Sequence, residues 1–302
     1  MDSTTPTSFK IAVSDDLLSF ITQRVHSARI PQALSLPPSK EWSYGIPPPT
    51  IHSLQEYCST TYNWRSVEAH LNATLKQYTL PISVSNSGKS ETLCIHFVHH
   101  RSSVSGAIPL LFQHRWPGSF LEVQNIIGIL TKGKYGQAYH VVAPSLPGFA
   151  FSDCPDGDFS IRQMAEVGHK LMLALGCGKY IAQSGDWGSM IVRAMGLDYS
   201  KHCIAVHANM CSASPPIWQG RSSWLGKIIW WTKEETGYQE IQGTRPMTLS
   251  YALVNSAAVM LAWLKDEMEP LVDHTDFKWG DEEVITWAMM YIIPGTSGHA
   301  NI

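Results

Sequence analysis

Charge, cysteine and long apolar runs are all scarce in this chain of 302 residues. Charged residues make up 16% and the formal net charge is −3, so nothing favours a polyanionic partner such as nucleic acid or an anionic lipid surface. Six cysteines occur without a single C-x-x-C pair. They read as scattered reduced thiols of a cytoplasmic protein. No His/Cys cluster has metal-ligand spacing, so no metal or organic cofactor is implied. Met1 to Ser8 is polar and holds no secretory h-region. No run of about 20 apolar residues is present to span a bilayer. The most apolar candidate, Trp224 to Trp231, is too short and includes Lys227, so it reads as a cap element over a cavity.

What is present is material for a large core, since 44% of the residues are hydrophobic. Phe9-Lys10-Ile11 reads as extended. Ser14 is placed as an N-cap, with Asp15 and Asp16 in the first turn of a helix reaching about Ala28. Residues 31–50 are proline-rich and read as an irregular meander, and two helices follow near His52–Thr61 and Trp64–Lys76. Strand signals then recur at Leu93–His99, Ile108–Phe112, Tyr139–Ala143, around Ile181 and at Cys203–His207. Helical stretches lie between them at Phe120–Thr131, Ile161–Leu175 and Met190–Leu197. This alternation predicts an α/β fold with a mostly parallel sheet. Beyond about Cys211 the chain turns helix-rich and Trp-rich, with no further clear strand.

The most informative stretch is Ser184-Gly185-Asp186-Trp187-Gly188-Ser189. It joins an apolar strand to a helix through a turn with small residues on both sides of its apex. That pattern pushes the apical side chain out above a sheet. Many hydrolases put a serine there, and this chain puts Asp186. A carboxylate is already an anion at neutral pH, so it can attack a carbon directly and form an ester. Upstream, His114-Arg115-Trp116-Pro117-Gly118-Ser119-Phe120 follows one strand, and the turn-rich Pro144–Asp153 follows the next, placed to wall the site. The first of these turns is expected to present the Trp116 backbone N–H to an oxyanion hole, with the Trp187 N–H as second donor.

In these segments the chain closely resembles the microsomal-type epoxide hydrolases of the α/β-hydrolase fold. Further matching pieces are Asn63-Trp64-Arg65, Glu235-Thr236-Gly237-Tyr238, Ile241-Gln242, Thr244-Arg245-Pro246, Tyr251 through Trp263, and Tyr291 to Gly298. The resemblance runs from about residue 9 to the end. It implies an N-terminal meander and helices over residues 1–90, a partial α/β-hydrolase core over 91–210 and an incomplete helical cap over 211–302. It also implies the opening of a small lipophilic epoxide to a diol, in detoxification or in a biosynthetic pathway. Asp186 would be the nucleophile and Tyr238 a lid tyrosine that hydrogen-bonds the epoxide oxygen. The second lid tyrosine, the acid and the histidine of that family have no counterpart before Ile302, nor do the last core strands. Slow or absent ester hydrolysis is therefore expected. The edge of the Cys203–His207 strand is expected to lie bare, inviting self-association. Arg115 stands where the family has glycine, so a positive φ there would be costly.

The other histidines are poor replacements for the missing base. His114 reads as structural, His202 and His207 as strand-end groups, His274 as solvated, and His299 lies three residues from the terminus. Two other functional classes remain. One is a haloalkane dehalogenase, with Trp187 binding the leaving halide. The other is a non-catalytic protein that binds an apolar ligand or a partner through the Trp-rich cap.

Overall fold

The computed structural model describes residues 5–86, 88–210 and 236–295. Seven strands form one sheet: β1 (Thr7–Phe9), β2 (Gln77–Asn86), β3 (Lys89–His100), β4 (Ile108–Phe112), β5 (Tyr139–Pro144), β6 (Tyr180–Ser184) and β7 (Cys203–Ala208). Their order is β1-β2-β3-β5-β4-β6-β7. The β5-β4-β6-β7 part is parallel, as strand–helix alternation predicts. Strands β1 to β3 add an antiparallel half that joins at β5, so the sheet is mixed.

β2 is the strand that the sequence reading did not anticipate, because Pro81 interrupts it. β1 pairs only with Gln77 to Thr79, so at Pro81 β2 is an edge strand, where a missing N–H is tolerated. β3 is buried at its centre, with Ile95, Phe97 and Val98 inaccessible to solvent.

Helices α1 (Asp15–His26), α2 (Pro48–Thr60) and α3 (Trp64–Thr74) fill the segment between β1 and β2. Ser14 caps α1 by accepting the Leu17 N–H at 3.2 Å, and Asn63 caps α3 in the same way. The helix expected over Phe120–Thr131 is split into a 3-10 turn at Phe120–Val123 and a short α4 (Ile127–Lys132). α5 (Ile161–Ala174) begins in a capping box of Ser160 and Gln163 and packs against α6 (Asp186–Asp198).

After the sheet come α7 (Gly237–Thr244), α8 (Pro246–Asn255), α9 (Ala257–Met268) and α10 (Asp281–Ile292). They bury their own apolar side chains, among them Leu253, Leu261, Leu264 and Met290. α9 also packs on α1 and α2, α10 packs on α2, and Tyr62 bonds Thr286 at 3.1 Å. No single helix among the described residues is long and apolar enough to cross a membrane. Trp224–Trp231 and His299 lie outside the described residues. Among the described residues β7 ends the sheet, with Ile204 55% and Val206 37% exposed.

Candidate active site

The turn from β6 into α6 has the geometry its sequence predicts. Asp186 opens the helix and takes φ +47°, a left-handed conformation that a non-glycine residue adopts only when its surroundings impose it. The close approach behind it requires Gly188. A Cβ there would lie 2.0 Å from Ser184 Oγ and 2.7 Å from the His114 carbonyl oxygen. Ser184 Oγ itself donates to the Gln113 carbonyl at 2.8 Å, tying β6 to the end of β4.

The Trp116 backbone N–H donates to Asp186 Oδ2 at 3.0 Å. The Trp187 N–H also reaches this carboxylate. The two expected oxyanion donors therefore converge on one carboxylate, from turns about seventy positions apart. Burial pushes the Asp186 carboxyl above its ordinary range. The two N–H groups and the charge of Arg115 pull it back down.

Arg115 does not carry the cost feared for it. Only Ala150 and Asp186 have a positive φ among the described non-glycine residues, so Arg115 sits in ordinary backbone. Its N–H donates to Glu122 Oε1 at 3.1 Å, and its Nε lies 3.7 Å from the same oxygen. Glu122 is a residue that sequence reasoning missed. It is a largely buried acid inside an apolar turn, its side chain 12% exposed, and desolvation pushes its carboxyl up to about 7, with Arg115 opposing and Asp186 adding to the rise. Its signal was a lone acid in Phe120-Leu121-Glu122-Val123.

His114 lies behind the site. Its Nδ1 donates to the Arg115 carbonyl at 2.9 Å, and its Nε2 accepts the Leu146 N–H at 3.0 Å. Both ring nitrogens are thus engaged with backbone, and burial lowers the imidazole to about 4, so it stays neutral. It fastens the Pro144–Asp153 loop to the Trp116 turn. The far end of that loop is fastened to β3, where Asp153 Oδ2 accepts the Cys94 N–H at 2.8 Å. Elsewhere, His202 Nδ1 bonds the Gly178 carbonyl, and His274 sits 3.6 Å from Glu269. Among the described residues no histidine hydrogen-bonds Asp186.

Tyr238, near the start of α7, stacks on the Trp116 indole with ring centroids 4.5 Å apart and planes 11° from parallel. Its hydroxyl accepts from Gln239 Nε2 at 2.9 Å, which leaves the phenol proton free to be donated. Burial raises its pKa, and the charges of Glu267 and Asp186 add to the rise. Tyr291, read in the sequence only as the start of a matching run and not as a site residue, is buried against the same turn, with its hydroxyl on Gly118.

Two cavities flank these residues. One, of about 1020 Å³, is lined by Gly185, Arg115 and Glu122. The other, of about 1060 Å³, is lined by Trp42, Tyr238, Ile241 and Trp263, with Asp266 and Glu267 on its wall. Among the described residues no group of three or more His, Cys, Asp or Glu side chains is placed to hold a metal ion.

Comparison with known proteins agrees with this arrangement. Residues 6–123 match the family model described as epoxide hydrolase N terminus, and residues 108–233 match the alpha/beta hydrolase fold. A putative epoxide hydrolase of Stigmatella aurantiaca is 32% identical over 280 residues, which cover 89% of this chain and 61% of that protein. Juvenile hormone epoxide hydrolase 2 of Ctenocephalides felis is 31% identical, over 86% of this chain and 58% of that protein. The solved structure of Aspergillus niger epoxide hydrolase superposes with a TM-score of 0.84 at 28% identity, covering 99% of this chain and 78% of that one. The chain thus spans roughly three-fifths of the length of the first two relatives. With both family models matched in sequence order and the fold shared almost throughout, the chain belongs to the epoxide hydrolase family of α/β-hydrolases.

Proposed function

We propose that this protein opens a lipophilic epoxide by attack of Asp186, forming a hydroxyalkyl ester on the carboxylate. The observation that carries this reading is the pairing of a carboxylate at the elbow with Tyr238 stacked over the adjacent Trp116. In the first step an Asp186 oxygen bonds an epoxide carbon and the carbon–oxygen bond of the ring breaks. The freed oxygen takes a proton or a hydrogen bond from the Tyr238 phenol. No atom is lost, so the adduct carries the full mass of the epoxide. In the second step water attacks the ester carbonyl, and the Trp116 and Trp187 N–H groups stabilise the oxyanion that develops there. That step needs a base for the water. The described residues supply no histidine at Asp186, so alkylation is the half-reaction they support best. Relatives named as epoxide hydrolases support the substrate class.

A haloalkane differs in that its attack on Asp186 expels a halide. Incubation with styrene oxide or 1-chlorobutane, followed by peptide mapping, separates the two chemistries. The expected result is an Asp186 peptide heavier by the whole mass of styrene oxide, and no alkylation by the chloroalkane. Chloride release would favour the dehalogenase reading. Unmodified Asp186 with both reagents would favour a binding protein.

The exposed apolar positions of β7 support a second element of the proposal, self-association through that edge. Light scattering across a concentration series tests it, and a strictly monomeric protein would refute it.

A further inference from the structure

The Arg115–Gly118 turn carries the Trp116 N–H that meets Asp186, and it is gripped from two sides. On one side Glu122 Oε1 accepts the Arg115 N–H at 3.1 Å. On the other, the Tyr291 hydroxyl accepts the Gly118 N–H at 2.9 Å and donates to the Gly118 carbonyl at 2.8 Å. One phenol therefore satisfies both backbone groups of a single residue, across 173 positions of sequence. The grip leaves no slack. A Cβ on Gly118 would lie 1.9 Å from Glu122 Oε1 and 2.7 Å from the Arg115 carbonyl oxygen. Tyr291 is itself fixed. It is 5% exposed, and its ring meets Phe149 edge-on at 6.3 Å.

We propose that Tyr291 is a positioning residue that holds the Trp116 N–H on Asp186 and so couples helix α10 of the cap to the nucleophile. This rests on Asp186 being the reactive group, as proposed above. Gly118 is two residues from Trp116, and a buried N–H and C=O that lose their partner must move to find another. The turn cannot move without taking the Trp116 N–H with it. The carboxylate would then lose a donor that favours its charged form. The charge that acts on Asp186 is that of Arg115, and the Asp186 charge in turn raises Glu122, Tyr238 and Tyr291, the titratable groups that face it.

The test needs no epoxide. The Asp186 carboxyl is followed by carbon-13 NMR through a pH titration, its signal assigned by its absence in Asp186→Asn. In Tyr291→Phe, which keeps the ring against Phe149, the midpoint is expected to rise by about one pH unit. Thr286→Val, on the same helix but away from Gly118, is expected to leave the midpoint where it is in the wild type. Equal midpoints in Tyr291→Phe and wild type would overturn the proposal, as would an equal rise in Thr286→Val. Should Tyr291→Phe not fold, hydrogen exchange of the wild-type protein decides. A Gly118 amide as protected as those of β3 supports the clamp, and a fast-exchanging one refutes it. A protein with the expected shift but no adduct from styrene oxide would defeat the proposed reaction and leave the clamp standing.

Discussion

The two halves of the candidate site are held by different physics. The core half is fastened by backbone hydrogen bonds: Asp186 takes N–H groups from Trp116 and Trp187, while Glu122, His114 and Tyr291 brace the turn behind Trp116. The other half, Tyr238 on α7, is held by a ring stack and one side-chain bond to Gln239. A carboxylate that attacks a single carbon needs fixed geometry. A phenol that follows a moving oxygen tolerates more freedom. The contrast predicts that damage to the core half lowers stability and reactivity together, and that damage to Tyr238 lowers reactivity alone.

The largest effect is expected from Gly188→Val, which breaks the core half. The new side chain would meet Ser184 Oγ and the His114 carbonyl, destabilising the fold by on the order of 3 kcal/mol and displacing Asp186. Thermal unfolding and adduct formation should both fall. A variant with wild-type stability would show that the elbow is looser than its geometry implies.

Glu122→Gln sharpens the same half through pH. Glu122 is raised to about 7 in the fold, against an ordinary value of 4.5. Between those values the unfolded chain has lost its proton and the folded one keeps it. Stability contributed by this group is therefore full below about pH 4.5 and is lost as pH rises through about 7. The loss is roughly 3 kcal/mol. Urea melts at pH 5 and pH 8 should show a smaller difference for Glu122→Gln than for the wild type. An unchanged difference would mean that Glu122 is charged in the fold.

Tyr238→Phe probes the half that α7 supplies. Alkylation of Asp186 by styrene oxide should slow on the order of 100-fold, with thermal stability unchanged, because the stack on Trp116 survives. Loss of stability without loss of rate would reverse the assignment. The smallest effect is expected away from both halves. Ile204→Lys on β7 should leave stability within about 0.5 kcal/mol and reduce association seen by light scattering.

Which parts were legible in the sequence follows the same division. The elbow was readable because a tight strand–turn–helix needs small residues at fixed offsets, and Ser184 and Gly188 stand at them, two positions either side of Asp186. The parallel strands were readable from short apolar runs between helical ones. β2 was hidden by Pro81, whose tolerance depends on how short β1 is, a property of the pairing and not of the segment. Glu122 was hidden because an acid after an apolar turn reads as a solvated side chain until its partner, the Arg115 N–H, is located. Tyr291 was legible as the start of a matching run, but its contact was not. Its bonds to Gly118 cross 173 residues, and no local pattern marks a contact at that range.

The most direct test of the account is the intact mass of the protein over time with styrene oxide, wild type beside Asp186→Asn. One epoxide mass is expected on the wild type and none on the variant. Equal labelling of both proteins would place the reaction elsewhere and contradict Asp186 as the nucleophile.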